Sequence, residues 1–493
     1  MMMTTPALLP LTTVDLPPLL PELVLTAGAF FLLMLDLFIS ERNKAWTHIV
    51  SVAILVAVFA MLLAGVGGQG EVFNGMFVRD AAADVMKTVI VGLSALTLIY
   101  GWSYLRERKL YQGEIPVLVL FATVGMMILV SAGSLLMVYL GLELLALCSY
   151  ALVASNRDNG MATEAAMKYI VLGSLASGLL LYGMSLIYGA TGTLSLSGIH
   201  EAIGNGREHM LLLTGTVFMI AGVAFKLGAA PFHMWLPDVY QGAPAPIALF
   251  ISSASKLAAF GMAYRLLEVG VGPLAAQWHW VIGGLAALSL VVGNLMAVAQ
   301  SNLKRMLAYS TVSHIGFLLL GVAGGGERGY AAALFYAICY AVMSTASFGA
   351  IIALSRKGFE AENIDDFKGL NARNPWMALL VLCIMASLAG VPPFLGFWAK
   401  LAVLGAVVAV PDQNLWWTGL AVLSVLCAVI GAFYYLRVIK VMYFDEPVGT
   451  PLPANDDRVL GVALGVNALG LLAFGLAWSP LMAWCQRAFA HLA

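Results

Sequence analysis

The chain has 493 residues, 61% of them hydrophobic and only 10% charged, with a mean hydropathy of +0.92 and a formal net charge of −1. So few polar residues cannot cover a water-soluble globule of this length, and a near-neutral balance leaves no basic surface for nucleic acid. The class that remains is a polytopic membrane protein.

The start, MMMTTPALLPLTTVDLPPLLPELV, has no Lys or Arg before the first apolar run and does not read as a cleaved signal peptide. Apolar runs then recur to the end of the chain. They predict fourteen helices near 22–40, 47–66, 81–104, 115–132, 134–154, 162–190, 212–230, 246–268, 279–299, 306–323, 330–354, 375–410, 415–441 and 458–478. Runs near twenty residues cross a hydrocarbon core of about 30 Å at about 1.5 Å per residue. The period-two alternation of a barrel strand is absent, so the expected fold class is all-α.

Fifteen basic residues, from Arg42 to Arg458, fall in one alternating set of connections, and five (Arg79, Arg207, Arg265, Arg328 and Arg487) fall in the other. The richer set is expected in the cytoplasm, and an even number of spans then puts both termini on the periplasmic side. The longest hydrophilic stretch, SRKGFEAENIDDFKGLNARN at 355–374, suits a loop and cannot house an active-site domain. After Ser479 the tail PLMAWCQRAFAHLA suggests a short interfacial amphipathic helix.

Two spans are interrupted. The seventh runs into GAAPFHMWLPDVYQGAPAP and the twelfth contains LAGVPPFLGFWAK. Aligning Pro231 with Pro393 gives an offset of 162, which carries the start of span four to about residue 277, near the start of span nine. Spans 4–8 and 9–13 therefore read as two five-helix copies that cross in opposite senses, the inverted repeat of many transporters. The expected organisation is a three-helix segment at 1–114, repeats at 115–268 and 279–441, and a final helix with its tail at 442–493. Pro231 lacks an amide hydrogen, so its helix should open around Leu227, and Pro392 and Pro393 should do the same for span twelve. Unwound backbone at membrane depth is tolerated where protein buries it or water reaches it.

Ionisable groups cluster at these places. Lys168, Lys226, Lys256 and Lys400 lie within apolar runs, and Glu143 lies in the middle of another. A Lys or Arg at a helix centre costs about 2.5–3.5 kcal/mol on insertion scales, which makes function the expected reason for keeping four. Snorkelling to the surface explains Lys168 best, since it lies only about ten residues from the loop, and fails for Lys256 near the midpoint of its span. Glu143 needs a cation facing it or a proton, and Lys226 and Lys256 are the available partners. A lysine that exchanges a carboxylate partner for a second lysine can be driven to release a proton; a static salt bridge is the competing reading. His233, in the first break, and His314, in span ten near the counterpart of Glu143, add groups that titrate near neutrality. Asp36 in the first span reads as a local helix contact.

Five scattered cysteines form no C-x-x-C, and GGGERG at 324–329 matches a dinucleotide fingerprint only in letters, because no strand precedes it. No Walker sequence, metal-spaced cluster or haem motif is present, so no cofactor is expected in this chain.

The run KLGAAPFHMWLPDVYQGAPAPIALFISSASKLAAF at 226–260 resembles the signature of the proton-translocating, antiporter-like membrane subunits of respiratory complex I and of multisubunit cation/proton antiporters. The resemblance extends over nearly the whole chain. It aligns Glu143, Lys226, Lys256 and Lys400 with the charged residues of the family's fifth, seventh, eighth and twelfth helices. Among the complex I members, the chain lacks the long lateral helix of the largest and carries lysine at 400 where the middle one has glutamate. The resemblance implies a bacterial inner-membrane subunit of NADH-quinone oxidoreductase that moves protons and carries no redox centre. FMN, iron–sulfur clusters and the quinone reaction would belong to partner subunits, with neighbouring antiporter-like subunits and lipid as its surroundings. It further implies that Lys226 is the central proton acceptor, Glu143 its modulator, Lys256 a relay towards the second half and Lys400 the link to the periplasmic exit or to the next subunit, with Lys168 and His314 along the axis. A subunit of a sodium/proton antiporter is the alternative.

Overall fold

The computed structural model describes residues 16–40, 43–204, 209–410, 414–447 and 457–492. The expectations about the first fifteen residues, and the positions of Arg42 and Arg207, lie outside them.

The chain opens with α1 (Leu20–Phe38) and α2 (Ala45–Leu63), then a hairpin of β1 (Gly70–Val72) and β2 (Phe77–Arg79). α3 (Ala81–Glu107), α4 (Glu114–Val130), α5 (Leu135–Val153), α6 (Gly160–Thr191) and the short α7 (Leu196–Gly204) come after it. Next are α8 (His209–Leu227), α9 (Trp235–Gly242), α10 (Ala245–Ser252) and α11 (Ala254–Tyr264). The second half holds α12 (Ala275–Val298), α13 (Leu303–Gly324), α14 (Gly326–Leu354), the one-turn α15 (Leu370–Arg373), α16 (Pro375–Ala389), α17 (Leu395–Val408) and α18 (Leu415–Phe444). α19 (Arg458–Leu476) and α20 (Ser479–Ala488) close the chain. Among the described residues twelve helical stretches are long and apolar enough to cross a membrane. The 17-residue α4 and the consecutive pair α16 and α17 complete fourteen crossings.

Side chains at the membrane borders set where helices begin. Asp80, Ser134, Asn159, Asn302, Asn374, Asn414 and Asp457 each accept a hydrogen bond from an amide in the first turn of the helix they precede. These are amides that a helix leaves unpaired and that lipid cannot satisfy.

Three features depart from a simple row of rods. The hairpin pairs Gly70 with Arg79 through Val72 with Phe77, and strands of three residues carry no alternation long enough to predict. Span eight, expected as one helix at 246–268, breaks at Ser253 (φ −111°, ψ −88°). There the hydroxyls of Ser252 and Ser253 both return to the Leu249 carbonyl, at 3.0 and 2.7 Å, competing with the backbone ladder. The same span ends in a wider π-helical turn at Arg265–Gly270. The tail forms α20, packed against α3 and α14.

Burial separates inner from outer helices. The apolar windows of α13 and of the α10–α11 span are 100% buried, whereas those of α1, α2, α6 and α18 are 28–33% buried. The inner helices carry buried polar side chains such as Lys256 and His314, and the outer ones show apolar side chains such as Phe38, Leu175 and Val429.

One face of the bundle gathers the basic residues. The Arg437 guanidinium donates to the carbonyls of Val298 (3.1 Å) and Gln300, tying the ends of α18 and α12. Beside them the loop after α14 is fastened by Glu360, whose carboxylate meets Lys304 at 2.8 Å, Arg108 at 3.2 Å and the Tyr104 hydroxyl at 2.7 Å. At the opposite face Arg265 donates to the Val130 carbonyl at 2.9 Å and pairs with Asp80 at 2.7 Å.

Burial would raise the Glu360 carboxyl, but Lys304, the Tyr104 hydroxyl and Arg108 outweigh it and hold the group below its ordinary 4.5. A depressed carboxylate stabilises the fold fully above about pH 4.5, and that contribution disappears as the pH falls through the folded value. Glu360→Gln is expected to cost about 2–3 kcal/mol at neutral pH, because it leaves Lys304 buried and unpaired. Thermal unfolding in mild detergent should show both the lowered midpoint at pH 7 and a weaker loss of stability on acidification. A variant with unchanged stability would refute this fastening.

Candidate functional site

The two helix breaks are built alike. α8 ends at Leu227, as its downstream proline requires, and Gly228 (φ +85°) turns the chain away. The Gly228 and Ala229 amides fold back onto the Ala224 carbonyl at 2.9 and 2.8 Å, which leaves the carbonyls of Lys226 and Leu227 without amide partners. Lys256, on α11 and 1% exposed, supplies the missing donor: its Nζ lies 3.2 Å from the Lys226 oxygen and 2.8 Å from the Leu227 oxygen. The Trp235 ring lies under the same ammonium at 4.6 Å. Its indole N–H donates to the Phe225 carbonyl at 3.0 Å, and the Ala230 amide donates to the Ser289 hydroxyl at 2.9 Å.

In span twelve, α16 ends at Ala389 and Gly390 (φ +86°) turns the chain. The amides of Gly390 and Val391 return to the Ala386 carbonyl at 3.1 and 3.0 Å. Lys400, on α17 and half-buried, donates to the Leu388 oxygen at 3.2 Å and to the Ala389 oxygen at 2.8 Å. The Phe317 ring lies 5.6 Å from that Nζ. Both breaks contain a cis X–Pro peptide, Ala230–Pro231 and Pro392–Pro393. An ammonium at a helix C-terminus meets the negative end of the macrodipole as well as two orphan carbonyls. This gives each lysine a structural reason to lie at membrane depth, which position in the sequence did not reveal.

Lys226 differs from these two. It is 5% exposed, and among the described residues its Nζ has no hydrogen-bond partner. It lines a cavity of about 20 Å³ together with Tyr150, Tyr169 and Ser177, enough for about one water. Glu143 lies within electrostatic reach of Lys226, yet the expected ion pair is not formed: the carboxylate is half-buried and its Oε1 has no partner. It shares a face of α5 with exposed Leu136, Leu140 and Leu147, which turns it towards the rim of the bundle.

A polar stripe on α14 lies between the two breaks. Tyr336, Tyr340 and Ser344 are spaced by four residues, so they share one face of the helix. Ser344 donates to the Ser252 hydroxyl at 2.7 Å, one turn before Lys256. Tyr340 meets the Thr311 hydroxyl at 2.7 Å, and Tyr336 meets His314 Nδ1 at 2.7 Å. The other His314 nitrogen meets the Tyr435 hydroxyl at 3.1 Å, and Lys400 is within its electrostatic reach. The stripe was visible as Y-x-x-x-Y-x-x-x-S inside an apolar run, but its partners on α10, α13 and α18 lie too far along the chain to be read from spacing.

Two candidate site residues, Lys168 and His233, stand apart from this stripe. Lys168 is 44% exposed and pairs with Glu164 at 2.7 Å and Asp238 at 2.9 Å. Asp238 also meets Arg305 at 2.7 Å, so Lys168 reaches the surface, as its nearness to the loop suggested, and there belongs to a clamp joining α6, α9 and α13. His233 lies in the first break, half-buried, 6.3 Å from the Tyr309 ring, with Nδ1 unpartnered.

Among the described residues, no group of three His, Cys, Asp or Glu side chains could hold a metal ion, and all five cysteines are buried free thiols. The chemistry available to the cluster is proton binding and release.

Comparison with known proteins gives the family and the fold. Residues 132–430 match the family described as NADH:quinone oxidoreductase/Mrp antiporter, TM. NADH-quinone oxidoreductase subunit N of Xanthomonas euvesicatoria pv. vesicatoria is 82% identical over 492 residues, covering 100% of both chains. A chain of respiratory complex I from Thermus thermophilus is 30% identical and superposes with a TM-score of 0.78 over 94% of this chain and 98% of that one. A chain of the Mrp complex from a Dietzia species shares the fold, with a TM-score of 0.84, 23% identity and 98% coverage of each chain.

Adding a Cβ at Gly228 would bring it within 2.3 Å of Leu236 and 3.3 Å of Lys256 Nζ, and at Gly390 within 3.0 Å of Lys400 Nζ. Gly228→Ala and Gly390→Ala are each expected to destabilise by about 1–3 kcal/mol, since both backbones also require positive φ. Thermal melts of the purified variants would test this, and a melt like that of the unmodified protein would contradict the capped geometry.

Proposed function

We infer, for a chain that belongs to the NADH:quinone oxidoreductase/Mrp antiporter transmembrane family in its subunit N branch, a mechanism in which buried lysines pass protons between two broken helices. The chain is a multi-pass subunit in the membrane arm of a bacterial NADH:quinone oxidoreductase, and it moves protons while electrons pass through other subunits. The observation that carries this reading is the contrast between Lys226, unbonded beside a water-sized cavity, and Lys256, adjacent to it and holding the Lys226 carbonyl.

In this mechanism Lys226 is the proton acceptor and Glu143 acts on it through space. Two neighbouring ammonium groups repel, so a charge gained at Lys226 favours release at Lys256. A neutral Lys256 holds the carbonyls of break one less strongly, because charge-assisted hydrogen bonds are roughly twice as strong as neutral ones. The proton passes along Ser252–Ser344, Thr311–Tyr340 and Tyr336–His314 towards Lys400, where the capped carbonyls of break two respond in turn. Lys168 enters as a brace through Asp238, and His233 as a group at the mouth of break one. The face rich in basic residues is the cytoplasmic one, with the chain's ends on the periplasmic side.

We further propose that 115–268 and 279–441 are inverted copies of one unit. Supporting this, the bridge Ser134 to Ser195 recurs as Asn302 to Asn363, both members displaced by 168. The carbonyls capped by Lys256 and those capped by Lys400 are related by 162, as are Gly228 and Gly390. On the first offset Glu143 corresponds to Thr311, one turn before His314. The two ammonium groups come from unrelated positions and end at equivalent carbonyls.

Lys226→Ala and Lys256→Ala are each expected to leave the assembly intact while lowering NADH-driven proton uptake by inverted vesicles by about tenfold or more. Unchanged uptake would reduce the chain to a scaffold. The sodium/proton antiporter reading is separated from this one by NADH dehydrogenase activity in the co-purified assembly, whose absence would favour the antiporter.

A further inference from the structure

Outside the repeats, α2 and α3 leave a groove between them on the surface of the bundle. It consists of two successive hollows. One, of about 550 Å³, lies at the basic face between Ile49, Val52, Ile99 and Trp102 and opens beside Arg106. The other, of about 510 Å³, begins one turn further along each helix at Val56 and Leu96 and continues past Phe59 and Gly92 towards Leu63. The line from Arg106 to Val89 covers seventeen residues of α3, roughly 25 Å of a core about 30 Å thick.

The two ends differ in chemistry. Arg106 is exposed and, among the described residues, forms no ion pair; its guanidinium lies 5.9 Å from the Trp102 ring. Trp102 stacks on His48 at 4.5 Å, which fixes an aromatic platform at the level where the helices leave the apolar zone. Asp457 also lines this mouth, but its carboxylate caps α19 through the amides of Val459 and Leu460 and accepts the Ser103 hydroxyl. Asp457 keeps its charge in that role but is turned to the α19 amides, and Arg106 is the exposed cation of the mouth. Below it the walls are aliphatic and aromatic.

We propose that this groove is a binding site for a glycerophospholipid, with the phosphodiester held by Arg106 at the Trp102–His48 platform and an acyl chain laid between α2 and α3. A planar guanidinium suits a phosphate, which can take two parallel hydrogen bonds from it. The apolar length below suits a hydrocarbon chain, which gains packing contacts by filling the hollow. A partner helix would find a charged mouth and then a slot that is apolar apart from Thr88, whose hydroxyl is turned to the Asp84 carbonyl of its own helix. The head-to-tail gradient along the membrane normal is that of a lipid.

The test uses the intact assembly, purified in mild detergent and depleted of loosely held lipid, with phospholipid per chain measured by native mass spectrometry. Arg106→Glu removes the phosphate contact at an exposed position, and Leu96→Trp fills the slot while Arg106 stays. Each variant is expected to lose the phospholipid that the parent retains, with the same subunits still co-purifying. Retention at the parent level in both variants overturns the proposal. So does efficient cross-linking of a cysteine at position 96 to another protein of the assembly, which would mean that a subunit covers the groove.

Discussion

Backbone carbonyls released inside hydrocarbon need donors, and the rest of the structure is arranged around meeting that need at two places. Pro231 and the Pro392–Pro393 pair end their helices at membrane depth, where water cannot satisfy the freed groups. Each break is closed by one ammonium group on two consecutive carbonyls. The cost of burying a lysine and the cost of opening a helix are met by the same contact. A charge whose presence holds a helix end together also makes that end sensitive to its own protonation, and this links structure to proton movement.

That link explains the layout of the inner helices. α10, α11, α13 and α14 are the most deeply buried, and they also carry the hydroxyl and imidazole groups that run between the breaks. Buried polar groups are tolerated inside a bundle when each has a partner, and these are bonded in separate groups, Ser252–Ser344, Thr311–Tyr340 and Tyr336–His314–Tyr435. The outer helices α1, α2, α6 and α18 expose their apolar sides and leave the polar connection shielded. Ion pairs at the two faces, Glu360 with Lys304 and Arg108 at one and Arg265 with Asp80 at the other, hold the helix ends in place where the membrane gives way to water.

Much of this was legible from the residues. The helices were marked by apolar runs, the opening near Leu227 by a proline that cannot donate, and Lys226, Lys256 and Lys400 stood out as ammonium groups inside apolar runs. Lys168 was read from its nearness to a loop as a lysine that reaches the surface; α6 begins eight residues earlier, and two carboxylates, one on the same helix and one on α9, meet it there, a pairing that spacing did not show. Glu143 was expected to face a lysine directly, but the rotation of α5 leaves it half-buried with only long-range attraction. The break at Ser253 went unforeseen because serine within a helix returns its hydroxyl to the preceding turn in some settings and points elsewhere in others, and the choice depends on neighbours.

By itself the sequence determined the membrane class, the number of crossings, the two proline breaks and which ionisable groups lie in apolar runs, because each is set by local composition and by the covalent chemistry of proline. The tertiary structure decided which carbonyls the ammonium groups satisfy, that lysines 144 residues apart reach equivalent helix ends, and that His314 is held between tyrosines of α14 and α18. Those outcomes depend on how distant helices approach and rotate against one another. Spacing along a chain carries little record of that, since a hydrogen bond across a bundle is fixed by packing rather than by sequence separation.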